Sequence, residues 1–333
     1  MTPTVSVVIT CYNLRRYIGD AIRSVTAQDY DGVVETIVVD DCSTDGSDGV
    51  IRSFAGVRHV RTAVNSGVLL AMLEGVDAAR GEIIAFLDGD DLWEPSKLAL
   101  VEAAFAADPA TAFVTHDLHY IDAQNRLLQR ATRPGLAFSE RGRLAVNEWL
   151  RQGILMHSDE VWLGSAFAVH RKRAGLDAFA QFARRLPDPR NTYQDWPMAL
   201  WIAAQPGLRL DYVPAKLLRY RLHGANHSGD ASTSARALRN FKRALNTVAA
   251  ELMIAERFAV SGAATQRIAA QRDYYAFLVD LYANACPGPA RWWGAMGFAQ
   301  GRLNVIAREA LRYAGIRLLG AERFARLAAR RAH

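Results

Sequence analysis

The sequence predicts an α/β fold, with a Rossmann-like, mostly parallel sheet flanked by helices and a C-terminal helical extension. Short runs of β-branched residues alternate with segments of helical periodicity over the first part of the chain, which is the pattern of a parallel sheet covered by helices. From Ser232 onward the periodicity is helical throughout. Because the chain has 333 residues and half of them are apolar, it can bury one domain of about 200–250 residues and a smaller extension.

The predicted elements follow one another in a regular order. Strands are predicted at Val5–Thr10, Thr36–Val39, Arg58–Arg61, Ile83–Leu87, Thr111–Val114, Phe167–His170 and Arg209–Val213. Helices are predicted over Leu14–Val25, over Val50–Phe54, after Asn65-Ser66-Gly67, with Pro95 in a first turn, and over Met198–Ala204. We therefore expect one domain over residues 1–228, with a division between residues 117 and 118, and a basic helical extension over residues 229–333.

Polar residues follow the first four predicted strands. They are Tyr12-Asn13, Asp40-Asp41, Asn65 and the run from Asp88 to Asp91. The carboxyl ends of parallel strands meet at one edge of a sheet, and ligands bind there. The sequence therefore predicts a single ligand crevice that is lined by side chains from four separate segments.

The densest group of charges is the segment Phe86-Leu87-Asp88-Gly89-Asp90-Asp91. Three carboxylates within four residues repel one another, so something positive should offset them. Carboxylate oxygens suit Mg²⁺ and Mn²⁺. One carboxylate can hold the metal ion while another holds a ribose hydroxyl or a bridging water. The alternative is an acidic turn between a strand and a helix, in which Asp91 or a neighbour caps the helix containing Lys97.

Three further groups are candidates for chemistry. Asp40-Asp41 can accept a hydrogen bond from the imide N–H of uracil or thymine, or can instead cap the turn that follows. Asp195, near a predicted helix start, would stay ionised and can take a proton from a sugar hydroxyl, or it is an ordinary N-cap. His223 suits a metal ion and Arg221 suits a diphosphate, although a histidine is more often structural.

The net charge of +6 lies at the C-terminus. Residues 302–333 contain eight arginines and two glutamates, so the rest of the chain is neutral overall. A nucleic-acid-binding domain carries a basic patch of its own. Because the residues before 302 are neutral overall, we expect no nucleic-acid partner. Three interpretations of this tail stay open: an amphipathic surface for anionic lipid, a helical cap over the first domain, and the interface of a homo-oligomer.

The N-terminus and the cysteines indicate the compartment. No basic segment precedes a long apolar run, and no stretch reaches about 18 uninterrupted apolar residues, so we expect neither a secretory signal nor a membrane span. Cys11, Cys42 and Cys286 are an odd number without a CxxC pair, which indicates reduced thiols. We therefore expect a cytoplasmic protein, which lies at the inner face of the plasma membrane if the tail binds lipid.

Five segments together resemble the family 2 glycosyltransferases, which have the GT-A fold. They are Val5–Asn13, Val38–Gly46, Asn65–Val68, Gly81–Asp91 and Tyr220–Ser228. The resemblance covers residues 4–228 and implies an inverting, metal-dependent transferase that uses Mg²⁺ or Mn²⁺. It also implies that residues 1–117 are the donor half and residues 118–228 the acceptor half. Its implied donor is a nucleoside-diphosphate sugar, with UDP- and dTDP-sugars favoured. Its implied acceptor is a saccharide or a lipid-linked saccharide, in the synthesis of bacterial surface polysaccharide.

The resemblance also implies roles for single residues. Asp195 matches the catalytic base, and Asp90 matches the direct metal ligand, with Asp88 and His223 as further ligands. The residues implied to bind the nucleotide sugar are Thr10, Tyr12, Asn13, Asp40, Asp41, Asn65, Asp88, Gly89 and Arg221. Within that group, Asp40 is expected to contact the base.

Two positions depart from the family pattern. Gln194-Asp195 stands where Glu-Asp is common, and because Gln194 cannot take a proton, the role of base falls on Asp195 or the enzyme is impaired. The segment after Gly67 usually continues with small residues and an arginine. Here it reads Val68-Leu69-Leu70-Ala71-Met72, which puts a diphosphate contact from that helix in doubt.

Two other functions are compatible with a similar sheet. Sugar nucleotidyltransferases usually carry a glycine- and arginine-rich loop after the first strand, whereas this chain has Cys11-Tyr12-Asn13-Leu14 there. The second alternative is a sugar-nucleotide-binding protein without catalysis, which the amide of Gln194 would suit.

Overall fold

The structure, a computed structural model, describes residues 5–129, 144–145, 164–223, 233–260, 262–283, 292 and 303–324. The chain separates into two compact units, residues 1–223 and residues 224–333. The domain boundaries expected from the sequence stay predictions. Residues 224–228, the last part of the segment Tyr220–Ser228, lie outside the described residues.

The first unit contains nine strands, six α-helices and one 3₁₀ turn among its described residues. The strands are β1 (Val5–Cys11), β2 (Val34–Asp40), β3 (Val57–Arg61), β4 (Ile83–Asp88), β5 (Leu92–Trp93), β6 (Thr111–Ile121), β7 (Leu144–Ala145), β8 (Phe167–His170) and β9 (Arg209–Arg221). The α-helices are α1 (Ile18–Thr26), α2 (Ser47–Arg52), α3 (Val68–Ala78), α4 (Lys97–Ala107), α5 (Leu176–Ala183) and α6 (Asp195–Ala203). The 3₁₀ turn is Pro189–Asn191 and precedes α6.

The strands form one sheet in the order β3-β2-β1-β4-β8-β6-β9-β5, with β7 beside β9. The first four strands are parallel, whereas β8 is antiparallel to both β4 and β6. This confirms the predicted α/β class with a mostly parallel half. The chain runs outward from β1 to β3 and then returns to the other side of β1 with β4. A ligand crevice forms at such a reversal, and Thr10 lies beside Asp88 there.

The core lies on both faces of the parallel strands. On one face, Val7 and Ile9 of β1 pack with Ile18 and Ile22 of α1. On the other face, α3 approaches β1 so closely that a Cβ at Gly75 would overlap a methyl group of Val8. Because both faces are covered, these strands are continuous apolar runs and not alternating ones.

Several features of the sheet were not predicted, among them the short strand β7. The strand β5 is only two residues long and pairs with β9. The strand β9 continues past its predicted end at Val213. His116 of β6 pairs with Val213, but the next residue of β6, Asp117, pairs with Lys216. Pro214 therefore lies in a bulge, where a missing backbone N–H is tolerated.

Several helices begin at positions that differ from the predicted ones, and two of these differences bear on the site. The helix α4 begins at Lys97, after Pro95, and α6 begins at Asp195, before the predicted Met198. Pro197 is the third residue of α6, and proline is tolerated in a first turn because that N–H has no partner within the helix. Asp195 is therefore part of a helix and not of the preceding loop.

The second unit is helical in its described residues, with α7 (Ser234–Arg257), α8 (Gly262–Tyr282) and α9 (Leu303–Leu319). Thr233 caps α7, because its hydroxyl accepts a bond from the N–H of Arg236 at 3.2 Å. Phe277 of α8 packs against Trp292 and against Tyr313 of α9. Within the described part of the chain, no helix has the length and apolar content that crossing a bilayer requires.

The close packing of α3 on β1 gives a first test. We expect Gly75→Ala to lower the free energy of unfolding by about 1–3 kcal/mol, because the new Cβ would overlap Val8 and lie 3.2 Å from a methyl group of Val39. Gly49 in α2 is a matched control, since a Cβ there meets nothing within 4 Å. Gly49→Ala should raise stability by up to about 1 kcal/mol. Urea unfolding measures both, and equal losses would contradict the packing.

Candidate active site

The centre of the site is the acidic turn after β4. The N–H of Gly89 donates to the carbonyl of Thr10 at 2.8 Å, and the hydroxyl of Thr10 donates to Asp88 Oδ1 at 3.0 Å. A Cβ at position 89 would lie 2.8 Å from that same carbonyl oxygen, so only glycine fits without a shift. The turn is therefore fixed against the end of β1, and the carboxylate of Asp88 is held beside Thr10.

Asp91 has a structural role within this turn. Its side chain is buried, and it accepts bonds from the hydroxyl of Ser165 at 2.6 Å and from the N–H of Arg221 at 2.8 Å. It does not cap α4, whose N-cap position is Ser96. Lys97 is also buried and donates to the carbonyl of Ser165 at 2.8 Å. Asp91 thus joins the acidic turn to β9 and to residue 165.

Asp90 lies next to His223, which follows β9. The Nε2 atom of His223 is 3.0 Å from Asp90 Oδ2, and the two side chains are 5% and 17% exposed. The imidazole also packs against the ring of Tyr17, with ring centroids 4.7 Å apart. The structure therefore brings together two of the three predicted metal ligands by direct contact.

Asp88 and Asp90 destabilise each other as anions. Burial, and then the charge of Asp90, raise the pKa of Asp88 from 3.8 to about 7. Bonds from Thr10 and Ser165 act in the opposite direction but do not cancel the shift. A divalent cation would relieve this repulsion, so the chemistry of these donors fits Mg²⁺ or Mn²⁺. Among the described residues, no three His, Cys, Asp or Glu side chains converge as a complete metal site.

Arg221 has partners that differ from its predicted role. Its side chain is 1% exposed, and its Nε donates to the carbonyl of Asp90 at 2.6 Å. The guanidinium also bonds to Asn125 and lies over the ring of Tyr17, 4.7 Å from the centroid. Burial lowers the pKa of Arg221. Arg221 therefore supports the acidic turn from inside the protein, and its direct contact with a diphosphate stays a prediction.

The end of β2 is built around two buried carboxylates. Asp40 is 0% exposed, pairs with Arg61 and accepts a bond from the N–H of Ser43 at 2.9 Å. Arg61 also donates to the carbonyl of Ser43 at 2.8 Å. The carboxylate predicted to contact the base therefore already has protein donors, and the base contact stays a prediction.

Asp41 fixes the loop that leads into α3. Its Oδ1 accepts bonds from the hydroxyl of Thr62 at 2.9 Å and from the N–H and hydroxyl of Ser66 at 2.7 Å. Its Oδ2 accepts a bond from the N–H of Gly67 at 2.8 Å. Asn65 is thereby held at this edge of the sheet, next to the end of β2.

The loop after β1 is fixed by its neighbour after β2. Asn13 has a φ of 55°, its N–H donates to the hydroxyl of Ser43 at 2.9 Å, and its side-chain oxygen accepts a bond from the N–H of Thr44 at 2.8 Å. Tyr12 is 38% exposed beside it. Asn13 therefore positions the loop, whereas the role of the exposed Tyr12 in binding a nucleotide stays a prediction.

The predicted base lies on a segment that reaches the acidic turn. Gln194 and Asp195 are buried, and Asp195 Oδ1 accepts a bond from the N–H of Trp196 at 3.0 Å. A Cβ on Gly164 would overlap Gln194 Nε2 and lie 2.9 Å from Asp88 Oδ2. Gln194 and Asp88 therefore flank the same backbone position, which places the start of α6 beside the acidic turn.

Four supporting residues were missed by sequence reasoning. They are Tyr17, Arg61, Gly164 and Ser165, all of which contact predicted site residues. Tyr17 lies in an ordinary helix-start pattern, and Arg61 ends an unremarkable strand. No local motif marks these residues, because their importance arises from contacts across the sheet.

The raised pKa of Asp88 gives a second test. Between pH 3.8 and about 7 the folded protein keeps a proton that the unfolded chain has released, so the contribution of Asp88 to stability falls as the pH rises through that window. We expect Asp88→Asn to raise the Tm of the metal-free protein, by more at about pH 8 than at about pH 5. Thermal unfolding in EDTA measures this. Asp48→Asn, at an exposed position of α2, is the control, and an equal gain at both pH values would contradict the account.

The first two comparisons with known proteins concern sequence. The family model described as "Glycosyl transferase family 2" matches residues 6–170. An uncharacterised glycosyltransferase of Nostoc sp. is 37% identical over 141 residues, which are 41% of this chain and 43% of that protein. The succinoglycan biosynthesis protein ExoO of Rhizobium meliloti is 37% identical over 127 residues, which are 37% of this chain and 36% of that protein. The match spans less than half the length of these curated relatives.

The solved structures agree in fold. TarS of S. aureus, residues 1–349 in complex with UDP-GlcNAc, has a TM-score of 0.61 at 15% identity, over 99% of this chain and 92% of that one. The mannosyltransferase PcManGT of Pyrobaculum calidifontis, in complex with GDP-Man and Mn²⁺, has a TM-score of 0.54 at 21% identity, over 96% and 86%. Together with the family model, the relatives and the geometry at the end of β4, these likenesses show that the chain belongs to glycosyltransferase family 2 and has the GT-A fold.

Proposed function

We propose that the protein is an inverting, metal-dependent glycosyltransferase that uses a nucleoside-diphosphate sugar. The observation that carries the proposal is the contact between Asp90 and His223 just after β4, which ends at Asp88 beside the segment that bears Asp195. A relative in succinoglycan biosynthesis and neighbours that bind UDP-GlcNAc or GDP-Man support this function. The proposed acceptor is a saccharide or a lipid-linked saccharide of bacterial surface polysaccharide.

The acidic turn supplies the ligands for Mg²⁺ or Mn²⁺ in this proposal. Asp90 would be the direct ligand, His223, which lies 3.0 Å from Asp90 Oδ2, would be a further ligand, and Asp88 would hold either the metal ion or a ribose hydroxyl. A divalent ion bound there neutralises charge on the diphosphate leaving group. Thr10 and Gly89 keep Asp88 in place, and the buried Arg221 holds the carbonyl of Asp90, so the carboxylates need little rearrangement.

The donor occupies the crevice between the ends of β1, β2 and β4. Thr10, Tyr12 and Asn13 form one wall, and Tyr12 can stack on the base because its ring is partly exposed. Asp40 and Asp41 lie at the floor, with Asn65 at the rim. We favour uracil or thymine as the base, because a carboxylate beside an arginine offers both an acceptor for the imide N–H and a donor for a ring carbonyl.

Asp195 is the proposed catalytic base. It is the first residue of α6, where the helix dipole favours the ionised carboxylate. Asp195 takes the proton of the acceptor hydroxyl while that oxygen forms a bond to C1 of the donor sugar. The bond from C1 to the diphosphate breaks on the opposite face, and the electron pair leaves with the nucleoside diphosphate. One displacement of this kind inverts the anomeric centre.

Two substitutions separate the base from the metal site. We expect Asp195→Asn to reduce transfer by about 1,000-fold or more while donor affinity stays unchanged. Asp90→Ala should instead weaken Mn²⁺ and nucleotide binding together, because the direct ligand is lost. Calorimetry with UDP, dTDP and GDP, with and without Mn²⁺, followed by a transfer assay, measures both effects.

The outcomes of that experiment distinguish the alternatives. Wild-type turnover in Asp195→Asn would remove Asp195 from the role of base. Unchanged affinity in Asp90→Ala would remove the metal site. A wild-type protein that binds the donor but neither transfers nor hydrolyses the sugar would be a binding protein, as Gln194 also allows.

We also propose that one face of α9 contacts the surface of an anionic membrane. Leu311 and Leu318 are 73% and 82% exposed and lie two helical turns apart, so they share one face. Arg312, Arg317 and Arg323 lie on or just after this helix. An exposed apolar stripe with arginines beside it is the pattern of a helix that lies in a membrane interface.

Liposome sedimentation tests the membrane contact. The full chain should pellet with vesicles that contain phosphatidylserine at low salt and less at high salt. The double variant Leu311→Gln, Leu318→Gln should pellet less. Leu127→Gln removes a leucine that is 64% exposed in the first unit and should bind like wild type. Failure of the wild type to pellet, with a dimer in solution, would favour the dimer interpretation.

A further inference from the structure

We propose that Arg190 binds the diphosphate of the donor. This inference rests on the proposed function, since it assigns a residue to the same crevice. Arg190 lies in the 3₁₀ turn Pro189–Asn191 and is exposed, and its Nη2 makes a long bond of 3.4 Å to Asn65 Oδ1.

The charges in the crevice call for an additional cation. A diphosphate diester and the two carboxylates of Asp88 and Asp90 carry about four negative charges, and a divalent ion offsets about half of them. Arg221 is 1% exposed, with its guanidinium packed against Asn125 and Tyr17, so an exposed cation has to come from another residue. The helix α3, which begins just after Asn65, contains no lysine or arginine.

The backbone holds Arg190 at the edge of the crevice. Gly67 has a φ of 88°, and a Cβ there would overlap the carbonyl of Arg190, so the turn lies directly against Gly67. The N–H of Gly67 bonds to Asp41, which follows β2. The backbone of Arg190, which carries the guanidinium side chain, is therefore held next to the end of β2.

The turn itself is rigid. The side chain of Asp188 accepts bonds from the amide group of Asn191 at 3.0 and 3.1 Å, and its carbonyl accepts one from the hydroxyl of Thr192 at 2.7 Å. Thr192 is buried. A charged side chain on such a base loses less conformational entropy when it binds a ligand than one on a loose loop.

The segment after Arg190 leads across the crevice. Gln194 flanks Gly164 together with Asp88, which ends β4. Since β1 lies between β2 and β4, the chain between residues 190 and 194 passes the end of β1, where Thr10 lies. Arg190 and the acidic turn are therefore at two sides of one crevice, and a planar guanidinium there suits two phosphate oxygens. When the nucleoside diphosphate leaves, Arg190 also stabilises the charge that it gains.

A comparison of diphosphate and nucleoside binding tests the assignment. The probe is whichever of UDP, dTDP and GDP binds the wild type most tightly with Mn²⁺, together with its nucleoside, by calorimetry. Arg190→Gln should lower the affinity for the nucleoside diphosphate by about tenfold or more. It should leave the affinity for the nucleoside within about twofold of wild type. Arg190→Lys should recover part of the loss, because the charge remains.

The control is Arg185→Gln, at an exposed arginine after α5 in the same unit, which should bind both probes like wild type. If Arg190→Gln binds the diphosphate as the wild type does, or loses diphosphate and nucleoside equally, the inference is overturned. If the wild type binds none of the three diphosphates, the proposed function itself is overturned, and the role of Arg190 with it.

Discussion

The site depends on one constraint: a turn with three carboxylates is held against the end of β1 with little access to water. The N–H of Gly89 and the hydroxyl of Thr10 fix it from β1, and Arg221 fixes it from β9. Burial, and then the charge of the neighbouring Asp90, raise the pKa of Asp88. A bound cation would relieve the repulsion between Asp88 and Asp90 and so stabilise the folded protein, which links the stability of the fold to its chemistry.

The acidic residues at the strand ends divide into two groups. Asp40, Asp41 and Asp91 bond to protein donors and shape the loops around the crevice. Asp88 and Asp90 lie where β4 ends beside β1, and their carboxylates contact Thr10 and His223 respectively. The arginines divide in the same way. Arg61 pairs with the buried Asp40, and Arg221 bonds to the carbonyl of Asp90 from inside the protein, whereas Arg190 is exposed.

Much of the parallel half could be predicted from the sequence, because β1, β2 and β4 contain apolar runs that indicate strands locally. The extent of β9 could not, since Pro214 reads as a strand end until the pairing with β6 places it in a bulge. The acidic turn was recognisable from its charge density alone. The burial of Arg221 was not, because its partners Asn125, Tyr17 and Asp90 lie on three separate segments. Long-range contacts of this kind leave no local pattern.

The most direct measurement is anomalous diffraction at the manganese edge, from crystals of the full chain grown with Mn²⁺ and a nucleoside diphosphate. A peak bound by Asp90, with the phosphates on its far side and His223 next to it, is the result that the account requires. If the crevice instead holds the nucleotide without any anomalous peak, and Asp88 and Asp90 have turned to bond backbone amides, then the acidic turn is only structural and the proposed transfer has no metal site.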